Sequence, residues 1–191
     1  RDIESANSIR AGTLLLASTD LLEPTFARTV IYVIEHNDAG SLGVVLNRVS
    51  QTAVHNVMPS WTDLAAQPRA CSSAARSNRI RPVSRRCPAR RRHLRDRTDP
   101  AGQRPRRPHR PRRDPELIGP VLEGLRIFAG YAGWGIGQLD AEMAQDSWML
   151  ASALPRDILA PSTTDIWADV LRRQPWPLPL LATHPVDVTG N

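Results

Sequence analysis

Apolar positions along the chain fall into short runs separated by turn residues, not into long helical stripes. Thr13 to Ala17 (TLLLA) is a continuous apolar run of the length expected for a buried strand. Thr29 to Glu35 (TVIYVIE) is rich in β-branched and aromatic residues and predicts a second strand, and Leu42 to Leu46 (LGVVL) a third. Between these two lies His36-Asn37-Asp38-Ala39-Gly40, whose Asn, Asp and Gly tolerate positive φ, so a β-hairpin with a loop of about four residues is expected. Asp20 to Pro24 reads as a loop or one helical turn, and residues 53–66 as a short helix broken at Pro59.

The C-terminal part is patterned in the same way. Asp114-Pro115-Glu116 offers a capping Asp, a Pro at the first helical position and an acid in the first turn, predicting a helix to about Gly124. Leu125 to Ala129 predicts a strand. Gly130 to Gly137 has four glycines in eight residues and predicts a turn or a tight backbone approach. Gln138 to Gln145 suits a helix and Trp148 to Ala151 a strand. Thr164 to Arg173 carries Ile166, Trp167, Val170 and Leu171 at helical spacing, Ser/Thr caps ahead of them and two arginines in the last turn; Pro175, Pro177 and Pro179 end it. The pattern implies an α+β fold with a mixed, mainly antiparallel sheet and flanking helices.

Charge divides the chain. All 25 basic residues are Arg, and 17 of them fall between Arg69 and Arg113 against two acids, Asp96 and Asp99. That window carries a net charge of +15, and the rest of the chain −9. None of the Phe, Trp or Tyr residues lies in it. The formal net charge of +6 and pI of about 10.8 therefore describe an acidic globular sequence interrupted by an irregular Arg/Pro-rich segment. Residues 1–68 and 114–191 are read together as one domain. Such a tract binds nucleic acid non-specifically through polyelectrolyte attraction, but it has no aromatic residue for base stacking and its prolines resist a recognition helix. No run approaches the roughly 20 apolar residues of a membrane span, and no leader with a small-residue cleavage site is visible, so a soluble, cytoplasmic protein without membrane contact is expected. Cys71, Cys87, His93 and His109 do not have the paired spacing of a zinc site, and no metal or cofactor is expected.

Two stretches resemble a known family. Residues 12–48, GTLLLASTDLLEPTFARTVIYVIEHNDAGSLGVVLNR, resemble the start of the YqgE/AlgH family of bacterial proteins. Residues 122–142, LEGLRIFAGYAGWGIGQLDAE, resemble its Ala-Gly-Trp-Gly-x-Gly-Gln-Leu hallmark, and the ending resembles actinobacterial members. Thr19 and Val49 stand where the family often has Pro. The resemblance implies a protein of uncharacterised molecular role, a regulatory or ligand-binding module. Transcriptional regulation or nucleic-acid binding is an alternative that the family's name suggests, although no helix-turn-helix pattern is present, and an unrecognised enzyme is a second alternative.

The candidate ligand-binding residues are Arg28, Asn47, Arg48, Tyr131, Trp134 and Gln138. Arg28, Asn47 and Arg48 sit at strand ends beside turns, where exposed polar side chains meet ligands. Arg28 occupies a family motif position in Phe26-Ala27-Arg28-Thr29; a salt bridge to Glu35, Glu23 or Asp20 is the structural alternative. The Gly133-Trp134-Gly135-x-Gly137 stretch lacks the Lys-Ser/Thr of a phosphate loop, so Trp134 either packs in a glycine turn or lines a pocket. Glu35-His36 has no nucleophile motif beside it and reads as hairpin. Asp140 and Glu142 read as acids capping a helix start. No catalytic residue is identified.

The family's Phe-x-Gly-Gly-Pro-Val stretch is missing between the two matching segments. In its place stands CSSAARSNRIRP from Cys71. Permitted codons for Cys71 to Pro82, read from the third base of the first codon, give Phe-Val-Gly-Gly-Pro-Val-Lys-Pro-Asp-Ser-Ala. Arg, Ala and Pro are what GC-rich DNA yields out of frame. Residues of about 69–113 are therefore read as frameshifted, with the family frame resuming near Asp114. If the family places a core strand there, this chain is expected to lack it and to leave neighbouring strands unpaired. Resequencing the gene across codons 66–116 is expected to show compensating base changes relative to close relatives; an intact frame without them overturns the reading.

Overall fold

The computed structural model describes residues 8–21, 26–66, 70–73, 80–86, 122–129 and 131–183. Two sheets organise them. The first has five antiparallel strands: β1 (Thr13–Ala17), β2 (Val30–Asn37), β3 (Gly40–Val45), β8 (Ala132–Trp134) and β9 (Trp148–Ser152), in the order β8-β3-β2-β1-β9. The second has four: β4 (Val49–Ala53), β5 (Ala70–Ser73), β6 (Ile80–Arg86) and β7 (Leu122–Ala129), in the order β4-β5-β7-β6, with β5 and β7 parallel. The helices are α1 (Val54–Val57), α2 (Gln138–Ala144), α3 (Pro155–Ile158) and α4 (Ile166–Arg172), with 3-10 turns at Pro59–Leu64 and Leu178–Thr183. The fold is α+β.

The run TLLLA is unbroken because β1 lies inside its sheet and both faces of that sheet are covered. Side chains alternate across a strand. Leu14 and Leu16 join Val30, Val44 and Leu46 in a core closed by Trp167, Val170 and Leu171 of α4. Leu15 and Ala17 join Ile31, Val33 and Val45 in a second core closed by Leu139 of α2 with Trp134 and Trp148. Leu14 to Ala17 are no more than 1% exposed. The second sheet packs differently: Leu125 and Ile127 of β7 meet Val54 and Ala65, whereas Phe128 reaches into the α4 core and so joins the two sheets.

Several expectations are corrected here. The single expected sheet is two. The hairpin between β2 and β3 closes through Asp38 and Ala39 alone, because Asn37 already pairs with Gly40. Gly40 at φ +129° makes that tight closure possible. The glycine stretch expected as a turn contributes β8, an edge strand on β3. Leu122 to Gly124, expected as the end of a helix, are strand; residues 114–121 lie outside the described residues. The N-cap of α4 is Asp165, not a Ser or Thr, its side chain accepting from Ala168 N at 3.0 Å. The neighbouring strand is also not left unpaired: β5 and β6 both fall within 69–113 and pair with β7 on either side. Pro82 is tolerated in β6 because that strand is at the edge of its sheet. The rest of the 69–113 segment lies outside the described residues.

Gly43 of β3 marks a close approach: a Cβ there would stand 2.5 Å from Ile31 Cγ2 and 3.0 Å from the Tyr32 carbonyl oxygen. Gly43→Ala is expected to overpack the sheet and cost about 1–3 kcal/mol, read as a lower urea midpoint. An unchanged midpoint would show that the sheet opens freely at this point.

Candidate functional site

The sequence candidates separate into two groups on opposite faces of the five-stranded sheet. Arg28 and Asn47 lie on the α4 side. Asn47 Nδ2 donates to the Arg28 carbonyl at 2.7 Å, and Asn47 Oδ1 accepts from Val30 N at 3.0 Å. The side chain thus supplies both hydrogen-bonding partners at the entry to β2. Arg28 adopts φ 54°, a conformation that non-glycine residues seldom take and that surrounding contacts must hold. Its guanidinium lies 4.3 Å from the centre of the Trp167 ring and forms an ion pair with Asp165, the cap of α4. The salt-bridge expectation for Arg28 therefore holds in kind, with Asp165, an acid that was not among the expected partners; of those, Glu23 lies outside the described residues. Trp167 Nε1 in turn donates to the Ala17 carbonyl at 2.9 Å. Arg48 is half-buried just before β4.

Tyr131, Trp134 and Gln138 lie at the other end, around a carboxylate that sequence reasoning assigned to capping. Glu142 Oε2 accepts from Trp134 Nε1 at 2.9 Å and from Trp148 Nε1 at 2.8 Å. Glu142 Oε1 accepts from Gln138 Nε2 at 3.1 Å, and Gln138 Oε1 accepts from Gly135 N at 3.1 Å. The two indoles meet edge to face at 6.2 Å, and Phe26 meets Trp148 in the same way at 6.3 Å. The hallmark glycines now have local reasons. Gly133 lies beneath the Tyr131 ring, Gly135 offers its N–H to Gln138, and Gly137 adopts φ 68° to start α2. Trp134 therefore packs; its other edge lines a shallow cavity of about 200 Å³ at the hairpin. That Glu142 lies four residues after Gln138, on one helix face, was the available signal for this network.

A third region was not singled out from sequence. A groove of about 520 Å³ runs between α3, the 160–165 loop and α4, with Arg156, Asp157, Asp169, Arg172 and Arg173 on its walls. It adjoins a narrow cavity of about 20 Å³ that shares Pro161, Thr164 and Ile166 with it and reaches Asn47 and Arg126. Asp157, 4% exposed, is gripped by Arg173 at 2.7 and 2.6 Å and accepts from Leu154 N at 2.6 Å. Arg126, 3% exposed, donates to the Ala160 carbonyl at 2.5 Å, and its burial lowers its pKa from the ordinary arginine value. Of the sequence candidates, only Asn47 lines this system. Cys87, His93 and His109 lie outside the described residues.

Comparison with known proteins decides the family. A protein-family model described as AlgH-like matches residues 14–80 and 114–179. The chain belongs to the AlgH-like family. The match resumes at Asp114, where the family pattern was expected to resume, and its first part extends to Ile80. A UPF0301 protein of Mycobacterium marinum is 54% identical over 98% of this chain and 94% of its own length. A UPF0301 protein of Rhodococcus jostii is 53% identical over 96% of this chain and 92% of its own. Among solved structures, a Corynebacterium diphtheriae protein is 35% identical with a TM-score of 0.78, covering 93% of both chains. The AlgH protein of Pseudomonas aeruginosa, 23% identical with a TM-score of 0.59 over 92% of this chain and 94% of its own, shares the fold.

Glu142→Ala is expected to strand two indole donors and cost about 2 kcal/mol or more in urea unfolding. Glu142→Gln should cost less, since one amide oxygen can accept from both indoles. Equal losses would show that the carboxylate charge, not the acceptor position, is what matters. Asn47→Ala, which leaves the Val30 N–H and Arg28 carbonyl without their partner, is expected to cost about 1–3 kcal/mol by the same measurement.

Proposed function

We propose that the protein is a ligand-binding module whose binding surface is the groove between α3 and α4, beside the small cavity that Asn47 lines. One observation carries this reading: an open groove of about 520 Å³ shares Pro161, Thr164 and Ile166 with a small cavity lined by the buried Arg126 and by Asn47. Sites of this size, with apolar walls and a few placed polar groups, suit small molecules. Ala160, Pro161 and Ile166 supply the apolar surface. In this reading Arg28 and Asn47 act mainly by holding the β1–β2 connection against α4, and Trp134, Gln138 and Tyr131 by building the end of the sheet. Arg48 remains a candidate contact beside Asn47.

A regulatory role for a cytoplasmic protein is consistent with ligand binding without chemistry. Among the described residues, no helix is long and apolar enough to cross a membrane. The Arg-rich segment is proposed to be out of frame and to bind nucleic acid only non-specifically. A transcription regulator would instead discriminate between DNA sequences, and would do so after removal of residues 87–113, which leaves β5, β6 and β7 in place.

Two-dimensional NMR of the full chain with a mixture of small polar fragments tests the proposal. Shifts are expected to cluster at residues 156–173 and at Asn47. Shifts confined to Trp134, Gln138 and Glu142 would move the site to the opposite face of the sheet and overturn it.

A further inference from the structure

We infer that the α3–α4 groove selects multivalent anions, with Arg156 and Arg172 as the contacts that choose them. The inference rests on the groove being the binding surface and adds the class of ligand. Its basis is an imbalance of hydrogen-bond donors. Two acids and three arginines share the walls, and both acids are already paired: Asp157 with Arg173, and Asp169 with Arg172 at 2.8 Å.

A guanidinium has five N–H donors and no acceptor. Arg173 uses three of its five, two on Asp157 and one on the Ser152 carbonyl. Arg172 uses one, on Asp169. Arg156 has no partner among the described residues. Most of the donors around the groove are therefore open, while the carboxylates that would otherwise fill it are spoken for.

The roles of the three differ. Arg173 is 18% exposed at its side chain and is clamped by a buried acid, so it is a fixed wall. Arg156 is exposed and free to turn towards a ligand, and Arg172, 61% exposed and held to Asp169 by one hydrogen bond, has its remaining donors open to one. Planar guanidinium groups match carboxylate and phosphate oxygens in pairs. Contacts from two helices favour an anion with at least two charged groups over a monovalent one. Phosphate and carboxylate ligands share this chemistry, so pyrophosphate and citrate serve as separate probes.

The full chain is titrated with inorganic pyrophosphate, with citrate and with neutral myo-inositol, followed by NMR at residues 156–173. Pyrophosphate, citrate or both should give saturable shifts there, weakened several-fold as ionic strength rises from about 0.05 to 0.3 M. Which of the two binds more tightly identifies the anion chemistry. The double variant Arg156→Ser, Arg172→Ser should weaken binding at least tenfold. Asp169→Asn, which releases Arg172 from its acid, should tighten it by a few-fold, and so keeps the inference open to test if the double variant folds poorly. Anion shifts at 156–173 that persist unchanged in both variants overturn the inference. Inositol shifts equal to those of the anions overturn it and leave the groove as the binding surface. No shift at 156–173 from any probe counts against the inference and against the groove together.

Discussion

Burial of β1 on both faces is the constraint on which the rest of the structure depends. A five-residue strand with three successive leucines can hide all of them only if both faces of its sheet are covered. The chain meets this with α4 on one side and with α2 and two tryptophans on the other. Each cover is then fastened by a polar contact at its edge. Trp167 reaches through its own core to the Ala17 carbonyl, and Arg28 bridges the ring and the cap of α4. On the far face, Glu142 holds two indoles in one orientation. These fastenings satisfy groups that burial would otherwise leave unpaired, which is why charged residues appear beside both cores.

Much of the five-stranded sheet was legible in the sequence. The spans of β1, β2, β3 and β9 follow from apolar runs and turn residues that act locally, and the helix at Gln138 and the last helix from the pattern of their residues. What failed was non-local. Ala132 to Trp134 form a strand only because β3 offers an edge to pair with, and three residues flanked by glycine carry no strand signal of their own. The division into two sheets depends on which strands pair, a choice that short apolar runs do not encode. Ile80 to Arg86 alternate poorly and contain Pro82, yet β7 recruits them as an edge.

The candidate site was less legible, for a related reason. Arg28, Asn47 and Trp134 were chosen for polar or aromatic chemistry beside turns, and all three prove to be joints. Their partners, Asp165 and Glu142, come from other parts of the chain or looked like ordinary helix caps. The groove between α3 and α4 is built by Arg156, Asp157, Arg172 and Arg173, which read individually as surface charge. Only the fold shows that the acids there are consumed by neighbours. The charge arithmetic has the same moral: the strongest electrostatic feature of the sequence, residues 69–113, gave no pointer to the residues that line the groove.

The sheet order has a consequence for the chain as it is made. Leu14 in β1 pairs with Ala151 in β9, and Ser41 in β3 with Trp134 in β8, so both outer strands of the sheet arrive late. At about 5–20 residues per second, synthesis of the intervening segment takes on the order of ten seconds. During that time the nascent hairpin carries its most apolar strand along an open edge. β1 leaves the ribosome before the other described strands yet is among the last to be enclosed, and the chain depends over that interval on whatever shields it, as a long-range topology of this kind requires.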